Sequence, residues 1–422
     1  MSLQGTFNTA VQAMLSQSQF MSNIGTNIAN VNTTGYKAQD THFQTLLNHV
    51  QPTDKRFFTV NTFDYRQVEK QGTIATTNRN LDVAINGRGF FVTNSTLDGS
   101  AGFQYTRDGA FFGKASTLAV DTDSDGQLDQ GTLLTTANGS YVYGWKANDD
   151  GTFSQTDSLE SLVPIEFNNN SIFPFKSTTH IDLQANLSAA DTGRQNVGLP
   201  FVDQEGNSRS MTIGFNASIT GEWTLDMSSF GLDTQPVDVT FDPPTIMFDG
   251  KGRLTSPSEG ILNVTVNDAV GPQSFTVDIS KMSQFSDEGQ LTVVGIDQDG
   301  YIEGRLKNSY FTKDGTLVGS YTNGEVKNLY KLPIARFQAD HFLEARGGNI
   351  FLQTQDAGAL MLKGLGDPTG TTEVVSGALE NSNVDLTDQF SKMIVTQRAY
   401  SSAAKVLTTA DEMTMAARDL KR

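Results

Sequence analysis

The sequence predicts a mixed, multidomain protein. Long α-helical N- and C-terminal segments pair as a coiled coil, and the central domains are all-β and antiparallel. Three observations carry this expectation. Apolar residues recur in alternating steps of four and three over residues 3–31, a heptad stripe. A second stripe of the same kind runs through residues 386–420. Between them, seven Asp-Gly and three Asn-Gly pairs punctuate short runs rich in Val, Ile, Phe, Tyr and Thr, which is the pattern of strands joined by tight turns.

The N-terminal stripe consists of Leu3, Phe7, Ala10, Met14, Gln17, Met21, Ile24, Ile28 and Val31. At about 1.5 Å per residue such a helix is roughly 43 Å long. Its opposite face is Ser, Thr, Asn and Gln, and residues 1–36 contain no Asp, Glu, Lys, Arg or His. Asn27, Asn30, Asn32, Thr33, Thr34 and Gly35 then break it. Asn and Thr side chains bond their own backbone at such a break, and Gly accepts a positive φ. An ordinary amphipathic core helix has the same spacing; the other end of the chain sets this one apart.

Residues 384–420 contain neither Pro nor Gly, with Asp385 and Asp388 at the start and Lys421 and Arg422 beyond the end, charges that complement the helix dipole. The stripe is Leu386, Phe390, Met393, Gln397, Tyr400, Ala404, Leu407, Ala410, Met413, Ala417 and Leu420. A long helix with one narrow apolar stripe does not stand alone in water. The two terminal helices are therefore natural partners for each other and for neighbouring copies.

Between them lie "LDVAI", "GFFVT", "SYVYGW", "MTIGF" and "EWTLDM" as strand candidates. "DGYIEGRLKN" (299–308) and "DGTLVGSYTN" (314–323) repeat at a period of 15, which suggests a duplicated hairpin within a meander, since a solenoid needs at least three repeats. The net charge is −17, which argues against nucleic acid or an anionic membrane as partner. Residues 1–71 carry five basic and four acidic groups and residues 371–422 carry six and seven. The ends therefore sum to zero and the middle carries the whole charge. Neutral ends suit packing against copies; an acidic middle suits a solvated exterior. There is no cysteine, which excludes disulfides and thiol chemistry. The N-terminus lacks the basic region and unbroken apolar core of a secretory signal, and no run of 18 apolar residues suits a membrane span.

Catalytic chemistry has little to work with. His42, His49, His180 and His341 are scattered, and no nucleophile elbow, Walker or dinucleotide motif occurs. The expectation is no catalytic residue and no cofactor. One weak calcium candidate is "DTDSDGQLD": Asp121, Asp123 and Asp125 fall on the first ligand positions of a calcium loop and Asp129 on the ninth. The twelfth position is Thr132 instead of a bidentate Glu, so a plain Asp-Gly turn is the preferred reading.

The stretch "NIGTNIANVNTTGYKA" (23–38) resembles the signature of the bacterial flagellar rod and hook axial protein family, with Asn27, Asn30, Asn32, Thr34, Gly35, Tyr36 and Lys37 on it. "NLDVAINGRGFFV" (80–92), "YTRDGAF" (105–111), "ANGSYVYGW" (137–145) and most of 376–413 resemble later blocks of the same family. The opening "NTAVQAM" lacks the family's usual small-Gly-Leu-x-Ala run, and "NHVQPTDKRFFTVNTFDYRQ" (48–67) departs from its pattern. Rod members are shorter; the long insertion between Trp145 and Gly324, and "KSTTHIDLQANL" (176–187), are similar to hook members.

The resemblance implies a non-enzymatic structural protein that self-assembles into the flexible tube coupling motor rod to filament. It implies four parts: a helical inner-tube domain (1–35 with 384–422), a linker region (36–71 with 360–383), an inner β-domain (72–147 with 325–359) and an outer β-domain (148–324). The expected assembly seam is Leu3, Phe7, Met14, Met21, Ile24 and Ile28 with Leu386, Phe390, Met393, Tyr400 and Leu407. The implied partners are copies of the chain in a helical polymer, rod and hook–filament junction proteins, the hook cap and the flagellar type III export apparatus, with no nucleic acid and no membrane span. The implied place is the extracellular flagellum, reached unfolded without a cleaved signal. A distal rod protein and a secreted β-rich adhesin are the alternative readings.

Overall fold

A computed structural model describes residues 3–50, 55–120, 129–168, 171–190, 193–219, 221–230, 238–267, 271–286, 291–364 and 372–419. It contains two long helices, one at each end, and β-strands between them. The chain forms two compact units. The first comprises Met1–Asn169, Asn308–Ser320 and Val326–Arg422; the second comprises Asn170–Lys307 and Tyr321–Glu325. The two copies of the 15-residue repeat divide between them: most of 299–308 belongs to the second unit and most of 314–323 to the first.

In the first unit, helix α1 is Leu3–Ala29 and helix α2 is Leu386–Asp419. Asp385 caps α2: its carboxylate accepts from the amides of Thr387 (2.8 Å) and Asp388 (3.3 Å), satisfying donors that the first turn leaves without helical partners. The two helices pack on each other, and α1 also packs on a long antiparallel hairpin, β1 (Gln39–Val50) and β2 (Lys55–Arg66). This hairpin lies in the segment expected as a linker. Its alternation is broken by Gln, Asn and His, so period two is faint in the letters.

The β part of this unit centres on the strand Phe90–Asn94, which pairs antiparallel with Phe103–Thr106, Tyr141–Lys146 and Pro333–Arg336. Phe90, Val92, Tyr105, Trp145, Phe337 and Phe351 form the buried core around it. The predicted turns at 98–99, 138–139 and 314–315 do join consecutive strands. The Asp-Gly at 108–109 serves another purpose: a Cβ on Gly109 would lie 1.7 Å from the carbonyl oxygen of Val83. There the glycine permits close approach of two backbones, which share a hydrogen bond from the Val83 amide to the Gly109 carbonyl (3.0 Å).

The second unit is all-β. The strands His180–Ser188, Ile261–Asn267 and Pro272–Asp278 lie in one sheet, and Arg194–Val202, Ser208–Ile219 and Glu222–Phe230 in another. His180–Ser188 shows the strict alternation of a half-buried strand: Ile181, Leu183, Ala185 and Leu187 enter a core shared with Val197, Phe201, Phe215 and Trp223, while His180, Asp182, Gln184 and Asn186 face outward. No described helix is long and apolar enough to cross a membrane.

Candidate assembly interface

The break after α1 is a buried junction in which both ends of the chain meet. Asn27 is 1% exposed, and its amide uses every bond it has. The oxygen accepts from the Tyr36 hydroxyl (3.1 Å) and the Gln39 amide (2.9 Å); the nitrogen donates to the Gln39 carbonyl (2.8 Å) and to Gln389 Oε1 on α2 (3.0 Å). Asn30 donates back to the Thr26 carbonyl (2.8 Å) and accepts from the Thr33 hydroxyl (3.1 Å), ending the helix with its own side chain. The Asn349 side chain holds the Thr34 carbonyl (2.7 Å). Gly35 has φ +66° and donates to the Glu380 carbonyl (2.7 Å). A Cβ there would lie 2.8 Å from the Asp108 nitrogen, so both the conformation and the space require glycine.

The first charged residue of the chain, Lys37, is buried. Its ammonium meets Glu380 at 2.6 Å and donates to the Lys70 carbonyl at 2.9 Å. Arg107 approaches the other Glu380 oxygen at 3.4 Å, donates to the Gly87 carbonyl at 2.9 Å and lies over the Phe90 ring. Glu380 also accepts from the Gly72 amide (2.8 Å). Two buried cations therefore share one carboxylate. Burial, with Arg107 adding repulsion, lowers the Lys37 pKa to about 8 against the pull of Glu380. Burial likewise lowers that of Arg107, and raises that of the Tyr36 hydroxyl. Asn383 completes the lock, accepting from the Ala38 amide (2.7 Å) and donating to the carbonyls of Gln67 (3.0 Å) and Lys70 (2.9 Å).

The sequence motif thus supplies half of the junction. Glu380, Asn383, Gln389 and Arg107 supply the other half and were not singled out by sequence reasoning. The available signal was that Glu380 and Asn383 stand in the C-terminal block and Arg107 in "YTRDGAF". Asn32, by contrast, makes none of these bonds among the described contacts.

Above the junction, α1 turns a polar line toward the hairpin. Ser16 and Asn23 are buried; Asn23 donates to the Thr41 hydroxyl (2.7 Å), which donates to Asp64 (2.7 Å), and Gln19 donates to the same carboxylate (2.9 Å). The absence of charge in this helix is therefore used twice, on its apolar stripe and on a polar face that is also covered.

The expected seam residues divide. Ile24 is buried; Met14, Met21, Ile28, Met393 and Leu407 are half-buried; Phe7, Leu386, Phe390 and Tyr400 are exposed. The side chain of Leu3 lies outside the described residues. On α2 the buried positions are Gln389, Thr396 and Ala410: Ala410 is on the predicted stripe, whereas Gln389 and Thr396 each precede a stripe residue by one, polar groups on the covered line. The larger apolar groups face away: Phe390, Ile394, Val395 and Met413 are 51%, 53%, 66% and 61% exposed. Residues 121–128 and the side chain of Asp129, the calcium candidate, lie outside the described residues.

Three family models match the chain: one described as flagella basal body rod protein over residues 7–37, one as flagellar basal body protein FlaE D2 domain over 167–301, and one as flagellar basal body rod FlgEFG protein C-terminal over 375–420. The flagellar hook protein FlgE of Rhizobium meliloti is 30% identical over 437 residues, spanning 100% of this chain and 100% of that protein. The chain belongs to the flagellar hook protein family. The FlgE hook proteins of Treponema pallidum (28% identity, 98% of this chain and 99% of theirs) and Salmonella typhimurium (28%, 97% and 98%) are similar along almost the whole length as well. A crystal structure of the Helicobacter pylori flagellar hook protein FlgE2 matches 73% of this chain and 100% of its own at 14% identity, with a TM-score of 0.37. The basal body rod models at 7–37 and 375–420 contain the motif, Glu380, Asn383 and Gln389, so the junction joins the two terminally matched segments.

Proposed function

We propose that copies of this chain polymerise into the flagellar hook, a flexible tube between motor rod and filament, and that the chain acts as a structural element and not as an enzyme. The observation that carries the reading is the outward apolar side chains of α2: Phe390, Ile394 and Val395 near its start and Met413 near its end are more than half exposed, and grouped exposed apolar side chains mark an interaction site. In the polymer, α1 and α2 pair as a coiled coil in the inner tube, and neighbouring copies cover this surface together with the exposed seam residues Phe7, Leu386, Phe390 and Tyr400. The segments 36–71 and 360–383 link it to an inner β-domain (72–147 with 325–359) and an outer one (148–324). A head-to-tail contact that does not close yields an open helical filament. Without cysteine, no disulfide obstructs passage of an unfolded chain through a type III export channel, which supports an extracellular position and contacts with the export apparatus, the hook cap, and rod and junction proteins.

Electron microscopy of purified polymer separates the hook from a distal rod. Curved tubes are expected. Straight rods from the same chain, or tubes formed unchanged by Val395→Asp, would overturn the reading.

A further inference from the structure

We propose that the second unit carries a binding site for a divalent transition metal ion of the Zn2+ type, held by His180, Asp182 and Asp278. These residues bring one ligand atom each within 4.8 Å of one another. Sheet register explains the cluster. His180–Ser188 and Pro272–Asp278 are parallel neighbours, with His180 opposite Thr276 and Asp182 opposite Asp278. His180 and Asp182 are two residues apart on one strand, so both stand on its outward face. The sequence shows His180 only as one of four scattered histidines; Asp182 is its neighbour on the strand, but the parallel pairing that brings in Asp278 spans almost a hundred residues and leaves no spacing motif.

One ring nitrogen of His180 is held and the other faces the carboxylates. Nδ1 lies 2.8 Å from the Thr276 hydroxyl oxygen, and that hydroxyl is 3.3 Å from the Thr179 carbonyl. Nε2 lies 3.9 Å from Asp182 Oδ1. In the tautomer that coordinates through Nε2, Nδ1–H donates to the Thr276 oxygen. A ring nitrogen oriented by a hydrogen bond at the other nitrogen is the usual support of a metal-ligating histidine. The Asp278 carboxylate accepts from the Ser280 amide (2.7 Å), which fixes its position.

The charge pattern asks for a cation. Asp297 lies opposite Asp182 on the other neighbouring strand, so Asp278, Asp182 and Asp297 form a row across three strands. Like charges directly opposite on one face are destabilising. Lys281 is the ammonium nearest to the row, 3.7 Å from Asp182, and its side chain is 59% exposed. It is free to swing into solvent when a metal enters. An imidazole nitrogen with carboxylate oxygens suits a borderline ion such as Zn2+ and does not suit Ca2+ or Mg2+, which take oxygen ligands.

Isothermal titration of zinc chloride into the full-length monomer tests this, with Co2+ absorption as a second readout of coordination. One equivalent should bind in wild type, and calcium should not compete. His180→Ala and Asp182→Asn should each lose the site. Thr276→Val should weaken it by about 10–100-fold, the usual effect of removing a partner behind the ligand. Lys281→Ala should tighten it. In a Trp145→Phe background, the Trp223 fluorescence of each variant reports that the unit is still folded. No saturable binding in wild type, or binding undiminished in His180→Ala, which retains the other three histidines, would overturn the assignment.

Discussion

Replacing Glu380 by Gln tests the junction most directly. The substitution keeps the shape and one acceptor oxygen, but leaves Lys37 and Arg107, 1% and 2% exposed at their side chains, without their shared negative charge. Breaking a buried ion pair from one side costs about 3–5 kcal/mol, because the remaining charge stays buried. Two cations depend on Glu380 here, so the upper part of that range is expected. The chain has only two tryptophans: Trp145 in the first unit's core and Trp223 in the second's. Urea unfolding followed by fluorescence in a Trp223→Phe background therefore reports the first unit alone. The midpoint should fall sharply in Glu380→Gln. Lys37→Met combined with Glu380→Gln should recover more than about 1 kcal/mol relative to additivity, as expected for residues in direct contact. A loss below about 1 kcal/mol, within the ordinary spread for point substitutions, or strict additivity would show that the triad is not a coupled buried unit.

Other outcomes follow from the same geometry. Lys37 has a folded pKa of about 8 against an ordinary value of 10.5; between these the unfolded chain holds the proton and the folded chain does not, so wild type should gain stability relative to Lys37→Met as pH rises from 8 to 10.5. A difference that is flat in pH would refute the depressed pKa. Gly35→Ala places a side chain at φ +66° against the Asp108 backbone and should destabilise the first unit by about 1–3 kcal/mol; an unchanged melting temperature would remove the steric argument. Met21→Lys puts charge into a helix that has none and should block tube formation while leaving Trp145 and Trp223 fluorescence native; normal tubes would refute the packing role of that position. Deleting 386–422 should likewise abolish polymer while Trp223 remains buried, since the second unit has its own core.

Helices, strands and turns were legible because each has a local signature. The α1 stripe, the Asp385 cap and the alternation in "HIDLQANLS" all state their structure within a few residues. The β1–β2 hairpin was not legible, because its outward and inward positions are both partly polar where it lies under α1: Thr41 and Asp64 face Asn23 and Gln19. Two covered positions of α2 were not legible for a related reason. Hydrophobic periodicity finds the apolar stripe, whereas the covered line contains Gln389 and Thr396, which pack through hydrogen bonding and small size. The motif at 27–37 announced its importance but not its role. The bonds that give it a role come from residues more than three hundred positions away.

That separation has a consequence for folding. Lys37 and Glu380 are 343 residues apart, and Asn27 and Gln389 are 362 apart. Contacts of this kind are closed late, because loop-closure entropy must be met before they contribute. Until Glu380 is in place, docking the segment after α1 would bury Lys37 unpaired, at a cost of several kcal/mol. The uncharged α1 avoids that difficulty: it carries no charged group whose burial depends on the far end of the chain, while Lys37, the first charge after it, does. Early association of α1 with the wrong surface is therefore limited by Lys37, and the correct docking is licensed only when Glu380 and the segment that follows it, the last tenth or so of the sequence, have arrived. The lock closes on the two ends together, through Lys37 with Glu380 and Asn27 with Gln389.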